Sequence, residues 1–327
     1  MAEIPLIHTY ITPRKFKQQL LYCLENRMWE EKFFYLGDKQ VQNWFNLCQS
    51  GDYNHYRNFI ALLKEIVPKL DKMIKGDVNL IGLAAGDSEK EKIILEQFLP
   101  KRKVGFFMVD TSIDLVRYSL KNLAKLNIHK EAFVADIMQQ HMVRRIGNYV
   151  RKFGENRINL YTLMGGTVGI FSQSAIIKIL RDAMQSEDFA LIEFHVRRSI
   201  SFKEGLDDTS IIFKAYEGKA NKKVIFDMLE TVNITEDYGD IDINYETHPT
   251  LPFLDTMDEH YYFYKDKKID YLGEEFFFAK GEKILIGRHC VYFKETAERL
   301  LESYGMKVVE TFQGDSENYI TILCQRK

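Results

Sequence analysis

The chain has 327 residues, enough for one large domain or two modest ones with ample core. Hydrophobic residues make up 46% and charged residues 28%, an ordinary globular balance, and a formal net charge of −2 offers no positive field to hold a nucleic acid. No apolar run is long enough to span a bilayer, the histidines show no paired metal-ligand spacing, and Met1-Ala2-Glu3-Ile4-Pro5 does not read as a secretory signal, so neither a membrane partner nor a bound metal is expected.

Residues 13 to about 74 read as helical, with apolar residues at mixed three and four spacing: Leu20, Leu21 and Leu24, then Phe59, Leu62, Leu63, Ile66 and Leu70. Pro68 is expected to kink or interrupt the last of these helices. From Val78 the pattern changes to short apolar strands alternating with amphipathic helices. The predicted strands are Val78–Leu83, Gly105–Val109, Ala132–Ala135, Ile158–Met164 and Phe189–Val196, with helices near Ser88–Leu99, Ser112–Leu126 and Ser174–Ser186. That alternation predicts an α/β fold with a parallel sheet covered on both faces.

Residues 198 to about 281 break the alternation, being rich in charge and in aromatic residues such as His260-Tyr261-Tyr262-Phe263-Tyr264. A helix is expected at Lys222–Leu229, and a hairpin of Glu275–Ala279 with Lys283–Ile286 around Lys280-Gly281. A closing helix over about Lys294–Tyr304, capped by Gly305, and strands Lys307–Phe312 and Tyr319–Cys324 resume the α/β pattern. The expected organisation is a cofactor domain of residues 75–197 plus 287–327. The N-terminal helices (1–74) and the insertion 198–286 would form a second α+β lobe over its ligand edge.

Ligands in doubly wound sheets bind beyond the carboxyl ends of the strands. Four predicted loops emerge there, ending in Gly86, Asp110, Asp136 and Gly166. Leu83-Ala84-Ala85-Gly86-Asp87-Ser88 follows a strand and opens a helix, so its small residues allow a ligand close to free backbone N–H groups. Asp110 ends the next strand, where a carboxylate accepts from both ribose hydroxyls of an adenosine; capping the following helix is its plain alternative. Asp136 ends the third strand in reach of an adenine amino group, and Ile137 and Met138 can pack on a purine. A P-loop motif is absent, and a dinucleotide loop would carry three glycines. An adenosine with a zwitterionic methionyl tail suits Ala-Ala-Gly and two aspartates better, which points to S-adenosylmethionine.

At these residues the chain resembles the histidine-specific methyltransferases of the ergothioneine pathway. Leu83-Ala84-Ala85-Gly86-Asp87-Ser88-Glu89-Lys90 is similar to the family's LGSGTSxK, Met108-Val109-Asp110-Thr111-Ser112 to its VDVS, and Ala135-Asp136-Ile137 to its GDF. Leu163 through Phe171, read Leu-Met-Gly-Gly-Thr-Val-Gly-Ile-Phe, resembles FLGGTIGNF. The resemblance implies a Rossmann-like methyltransferase sheet, S-adenosylmethionine as methyl donor, and a second lobe for the acceptor. Gly86, Ser88, Lys90, Asp110, Asp136, Ile137 and Gly166 would be donor contacts by carry-over. Their neighbours Ala84, Ala85, Thr111, Ser112, Gly165 and Thr167 complete the expected cofactor set.

Two departures bear on the acceptor. Ile170 stands where the histidine enzymes carry the Asn of GGTxGN, and Gly287 through Phe293 places Arg288 and Cys290 where they carry a Glu-x-Ser pair. A site without those polar groups loses the histidine groups they satisfied, so an acceptor other than free histidine is expected. Tyr53, Tyr56, Glu193 and His195 are further pocket candidates, with core packing or structural hydrogen bonds as the alternative. Arg288 suits a substrate carboxylate or phosphate, or else a salt bridge between lobes. No residue is singled out as catalytic. Three readings remain: a methyltransferase for a small amine or amino-acid-like molecule, one for a macromolecule, and a binding module without activity. Cys23, Cys48, Cys290 and Cys324 are scattered, as expected for reduced thiols in the cytoplasm.

Overall fold

A computed structural model describes residues 5–51, 55–139, 141–154, 156–197, 216–247, 254–314 and 318–327. In chain order the strands are β1 (Leu6–Thr9), β2 (Val78–Leu83), β3 (Val104–Asp110), β4 (His129–Val134), β5 (Ile158–Leu163), β6 (Phe189–His195), β7 (Gly239–Thr247), β8 (Leu254–Phe263), β9 (Lys267–Tyr271), β10 (Glu274–Phe278), β11 (Lys283–Tyr292), β12 (Met306–Gln313) and β13 (Tyr319–Arg326). The helices are α1 (Pro13–Asn26), α2 (Asp38–Gln49), α3 (His55–Met73), α4 (Glu89–Phe98), α5 (Ile113–Asn122), α6 (Met142–Val150), α7 (Gln173–Ala183), α8 (Lys219–Leu229) and α9 (Lys294–Ser303).

Eight strands form one sheet in the order β1-β4-β3-β2-β5-β6-β13-β12, parallel except for the last two pairings. Residues of β2 alternate between two cores, which is why the strand reads as continuously apolar. Ile81 and Leu83 face a layer containing Ile146 of α6, Ile176 of α7 and Ala297 of α9. Val78 and Leu80 face Leu63 of α3, Ile94 of α4 and Val116 of α5. The chain leaves β2 toward β3 on one side and returns to pair β5 on the other, so the strand order reverses at β2 and opens a crevice at its carboxyl end.

The α/β class is as the sequence predicts, and several elements differ in detail. The strand β1 joins the main sheet beside β4, and β4 begins at His129 because it has strand neighbours on both edges. The helix α3 runs through Pro68 without a break. Its buried stripe of Phe59, Leu62, Leu63, Ile66, Val67 and Leu70 outweighs the one backbone hydrogen bond the proline forfeits. The expected hairpin around Lys280-Gly281 does not form. Instead β10 pairs with β9 across Leu272-Gly273, where both residues have positive φ (58° and 84°), the geometry a two-residue hairpin turn requires. The strand β11 pairs with β8, and β8 with β7, in a separate antiparallel sheet.

That sheet packs with α1, α2 and α8 around a third core containing Leu24, Phe33, Phe34, Ile225 and Tyr261. The strand β11 runs without a break from this core into the main one: Ile284 and Ile286 belong to the first, Cys290 and Tyr292 to the second. The two lobes therefore share a strand, and the crevice above β2 lies between them.

One buried carboxylate ties the amino ends of the adjacent strands β5 and β6 to the segments that follow α6 and α7. Asp188, fully buried, accepts from Arg151 Nη1 and Nη2 (3.1 and 2.5 Å) and from the backbone N–H of Asn159 and Gln185 (3.1 and 2.7 Å). Its removal strands a guanidinium and two amides, so Asp188→Ala is expected to cost about 3–5 kcal/mol in urea-induced unfolding.

Candidate active site

The crevice holds a cavity of about 690 Å3, a volume typical of small-molecule sites. Its floor is the loop between β2 and α4. Three residues there, Ala84, Gly86 and Ser88, have positive φ (49°, 57° and 59°), which bends the backbone sharply at the strand end. Asp110 at the tip of β3 holds that bend: its Oδ2 accepts from Gly86 N–H at 3.0 Å and its Oδ1 from Ser112 N–H at 2.9 Å. A side chain on Gly86 would point at Trp44 of α2, 3.6 Å away, across the cavity.

Of the expected cofactor residues, Ala84, Gly86, Lys90, Asp110, Thr111, Asp136, Ile137, Gly165, Gly166 and Thr167 line this cavity. Ala85, Ser88 and Ser112 are among its absent members, and each has another place. Ala85 packs in the core below, Ser88 Oγ accepts from Ser119 Oγ at 2.6 Å, and Ser112 caps α5 through Leu115 N–H. They support the loop rather than wall the cavity. Tyr56, Ile170, Glu193, His195, Arg288 and Cys290 also line it. Tyr53 lies outside the described residues.

Lys90, on the first turn of α4, is only 6% exposed and has no hydrogen bond or ion pair among the described residues. Its ammonium sits 5.8 Å from the Tyr56 ring centre, and 2.7 Å from where a side chain on Gly165 would begin. Four buried carboxyls surround it: Asp87, Glu91, Asp110 and Glu193. Burial raises the pKa of each above its ordinary value, and Lys90 opposes that rise in all four. Glu91 and Glu193 are pushed up to about 7. Glu193 accepts from Gly165 N–H and lies 3.9 Å from His195 Nε2, tying the β5 loop to the end of β6. The β5 loop has no room for larger residues, because a side chain on Gly166 would strike His195 at 2.6 Å.

The second lobe closes the other wall. Lys32 reaches across to Asp136 Oδ2 at 2.9 Å and also binds Glu30 at 2.6 Å. Asp136 Oδ1 accepts from Met138 N–H, so the adenine-side carboxylate predicted from the sequence already has one oxygen in an ion pair. Arg288 makes a two-pronged pair with Asp258 directly opposite it on β8, its Nε at 2.6 Å from Oδ1, so its salt bridge lies within one sheet rather than between lobes and it is not a free cation. Cys290 accepts from Gln173 Nε2 at 3.0 Å, and burial pushes its thiol up to about 12, which makes it a poor nucleophile. Among the described residues no group of three or more His, Cys, Asp or Glu is arranged to hold a metal.

Residues 16–326 match the family described as histidine-specific methyltransferases, SAM-dependent. The chain belongs to that family. It is a methyltransferase that uses S-adenosylmethionine. It is 21% identical over 291 residues to the N-methyltransferase imqF of Aspergillus flavus, covering 86% of this chain and 77% of that one. Among solved structures it is similar to a putative methyltransferase from Thermobifida fusca (12% identity, TM-score 0.47, 93% of this chain and 97% of that one). It is also similar to the 1,6-didemethyltoxoflavin-N1-methyltransferase of Burkholderia thailandensis (7% identity, TM-score 0.44, 88% of each chain), which was crystallised with S-adenosylhomocysteine.

In this methyltransferase the residues at the crevice fit such a cofactor on chemical grounds. A nearly buried ammonium without a partner suits a carboxylate, and an excess of carboxyls suits a sulfonium and an ammonium. The second lobe adds Glu31, Tyr216, Asn221, Glu259 and His289 to the cavity wall, none of which the sequence reading selected. They come from the N-terminal segment, α8, β8 and β11, and no motif links them. The only signal available was an Asn and acids within otherwise aromatic stretches.

The raised carboxyls set a pH dependence. Folding favours the protonated form of Glu91 and Glu193, so their contribution is complete below the ordinary value of 4.5 and is lost as pH rises through about 7. Glu193→Gln is therefore expected to gain stability relative to the parent on going from pH 4.5 to pH 8, read from urea midpoints at both.

Proposed function

We propose that this enzyme N-methylates a small amine-bearing molecule other than free histidine. The observation that carries the reading is the acceptor end of the cavity. It presents the apolar Ile170 where relatives carry the amide of an Asn, and its arginine is already engaged with Asp258. A histidine substrate there would leave polar groups unsatisfied. The concave shape favours a small acceptor over a macromolecular one, and the net charge of −2 disfavours a polyanion. No helix among the described residues is long and apolar enough to cross a membrane, and the four cysteines are free and buried; we place the enzyme in the cytoplasm.

In this reading Asp110 accepts from the ribose, Asp136 from the adenine amino group, and Ile137 covers the purine. Lys90 takes the methionyl carboxylate, and the N–H groups and small residues of Ala84 to Gly86 and Gly165 to Thr167 allow close approach. S-adenosylmethionine supplies a methyl group on a sulfonium, whose departing thioether needs no acid. The protein's task is alignment in a dry pocket. In this reading the amine gives its proton to a carboxyl lining the cavity before its lone pair takes the methyl group; Glu193 and His195, at the end of β6, line the same cavity.

Calorimetry with S-adenosylhomocysteine tests the donor side. Asp110→Asn and Lys90→Met are each expected to weaken binding about 10- to 100-fold, the worth of a hydrogen bond to a charged group. Release of labelled methyl groups over a panel of amines and amino acids tests the acceptor side. Turnover of free histidine above the other amines would overturn the acceptor assignment, and cofactor binding with no turnover of any amine would leave a binding module.

A further inference from the structure

At the end of the cavity away from Lys90, polar atoms from three elements converge over a residue that has no side chain. A side chain built on Gly287 of β11 would meet Glu259 Oε2 at 2.9 Å, Glu31 Oε1 at 3.3 Å and His289 Nε2 at 3.7 Å. The two carboxyls share one imidazole nitrogen, His289 Nε2, at 3.4 Å (Glu31) and 3.5 Å (Glu259). Glu259 has a second donor, Asn221 Nδ2 at 2.6 Å, which also binds the Tyr216 carbonyl at 2.9 Å. Glu31 has none among the described residues: its Oε1 is buried without a hydrogen-bond partner there, on a side chain only 10% exposed.

The charges do not balance. With His289 protonated, as its two carboxylate neighbours favour, two carboxylates still face one cation. Among the described residues the nearby cations are committed elsewhere: Lys32 to Asp136 and Glu30, Arg288 to Asp258. A buried carboxylate lacking a counter-charge is strongly disfavoured, so it takes either a proton or a cation. Burial pushes the Glu31 carboxyl up to about 7, with His289 opposing and Glu259 adding to the rise. Around the cluster the walls are Trp29, Phe34 and Tyr216, with the Tyr216 ring 4.4 Å from that of His289.

Building on the acceptor assignment above, we propose that Glu31 and Glu259, held by His289 and Asn221, form a cation subsite that selects a hydrophobic monoamine as methyl acceptor. The protonated amine completes the missing charge over Gly287, and for transfer its proton passes to Glu31, which frees the nitrogen lone pair to take the methyl group as the sulfonium departs as a neutral thioether. A carboxylate on the carbon bearing that nitrogen would face two carboxylates at close range, so amino acids are excluded by repulsion rather than by size. The aromatic walls hold the apolar remainder of the molecule and add cation–π attraction. Selection by charge explains how a site with Ile170 in place of an amide can still orient an amine.

The test uses the full chain saturated with S-adenosylhomocysteine and three probes that differ only in charge: phenethylamine, phenylalanine and phenylacetate. Calorimetry at pH 6.5 is run in two buffers of different ionisation heat. Phenethylamine is expected to bind at least tenfold more tightly than phenylalanine, with phenylacetate not detected. Because the incoming cation ionises Glu31, binding should release protons to the buffer. Glu31→Gln should weaken phenethylamine at least tenfold and abolish that release, and Glu259→Gln should weaken it comparably. Binding of S-adenosylhomocysteine to each variant reports that it is folded. Equal affinity for the amine and the acid, undiminished amine affinity in both variants, or no amine binding by a chain that binds S-adenosylhomocysteine would each overturn the subsite. Failure to bind S-adenosylhomocysteine at all would instead remove the donor-side reading on which it rests.

Discussion

The ammonium of Lys90, enclosed on the first turn of α4, is opposed by Asp87, Glu91, Asp110 and Glu193, which come from the loop after β2, from α4 and from the ends of β3 and β6. Burial raises the pKa of all four carboxyls, so the charge around that ammonium depends on how many of them keep a proton. The loop beneath depends on the same carboxylates. Asp110 receives the N–H groups of Gly86 and Ser112, and with the Ser119–Ser88 bond this clasp holds the positive φ of Ala84, Gly86 and Ser88.

A second consequence follows from β11. It starts in the core built around the three-stranded sheet and ends in the core of the main sheet, so its residues pass along the crevice from one to the other. At one end Gly287 opens space beside Glu31 and Glu259. Three residues on, the Cys290 backbone lies so near Gly169 that a side chain there would meet its carbonyl at 2.9 Å. The Lys32–Asp136 pair crosses the same crevice from the other direction. The strand and the ion pair thus tie the two sides of the crevice together at two points.

The parallel strands, the helices between them and the acidic strand tips were legible because each depends on local sequence. A strand buried on both faces must be apolar throughout, and a sharp turn into a helix must be small. Ser88, Ala85 and Ser112 show the limit of that legibility: their position in the motif is right, but their side chains point into the protein. The hairpin expected at Lys280-Gly281 shows another. Both candidate turns contain a glycine, and pairing of β11 with β8 decided between them.

Taken alone, the order of residues determined the class of fold, the crevice and the kind of nucleoside it suits, since hydrophobic period and loop composition act over a few residues. Only the folded chain decided the charge at the acceptor end. Glu31, Asn221, Glu259 and His289 stand far apart in the sequence, and their shared burial depends on two lobes closing on each other. Desolvation is a property of that closure, so neither the raised pKa of Glu31 nor the commitment of Arg288 to Asp258 is written in any short stretch of residues.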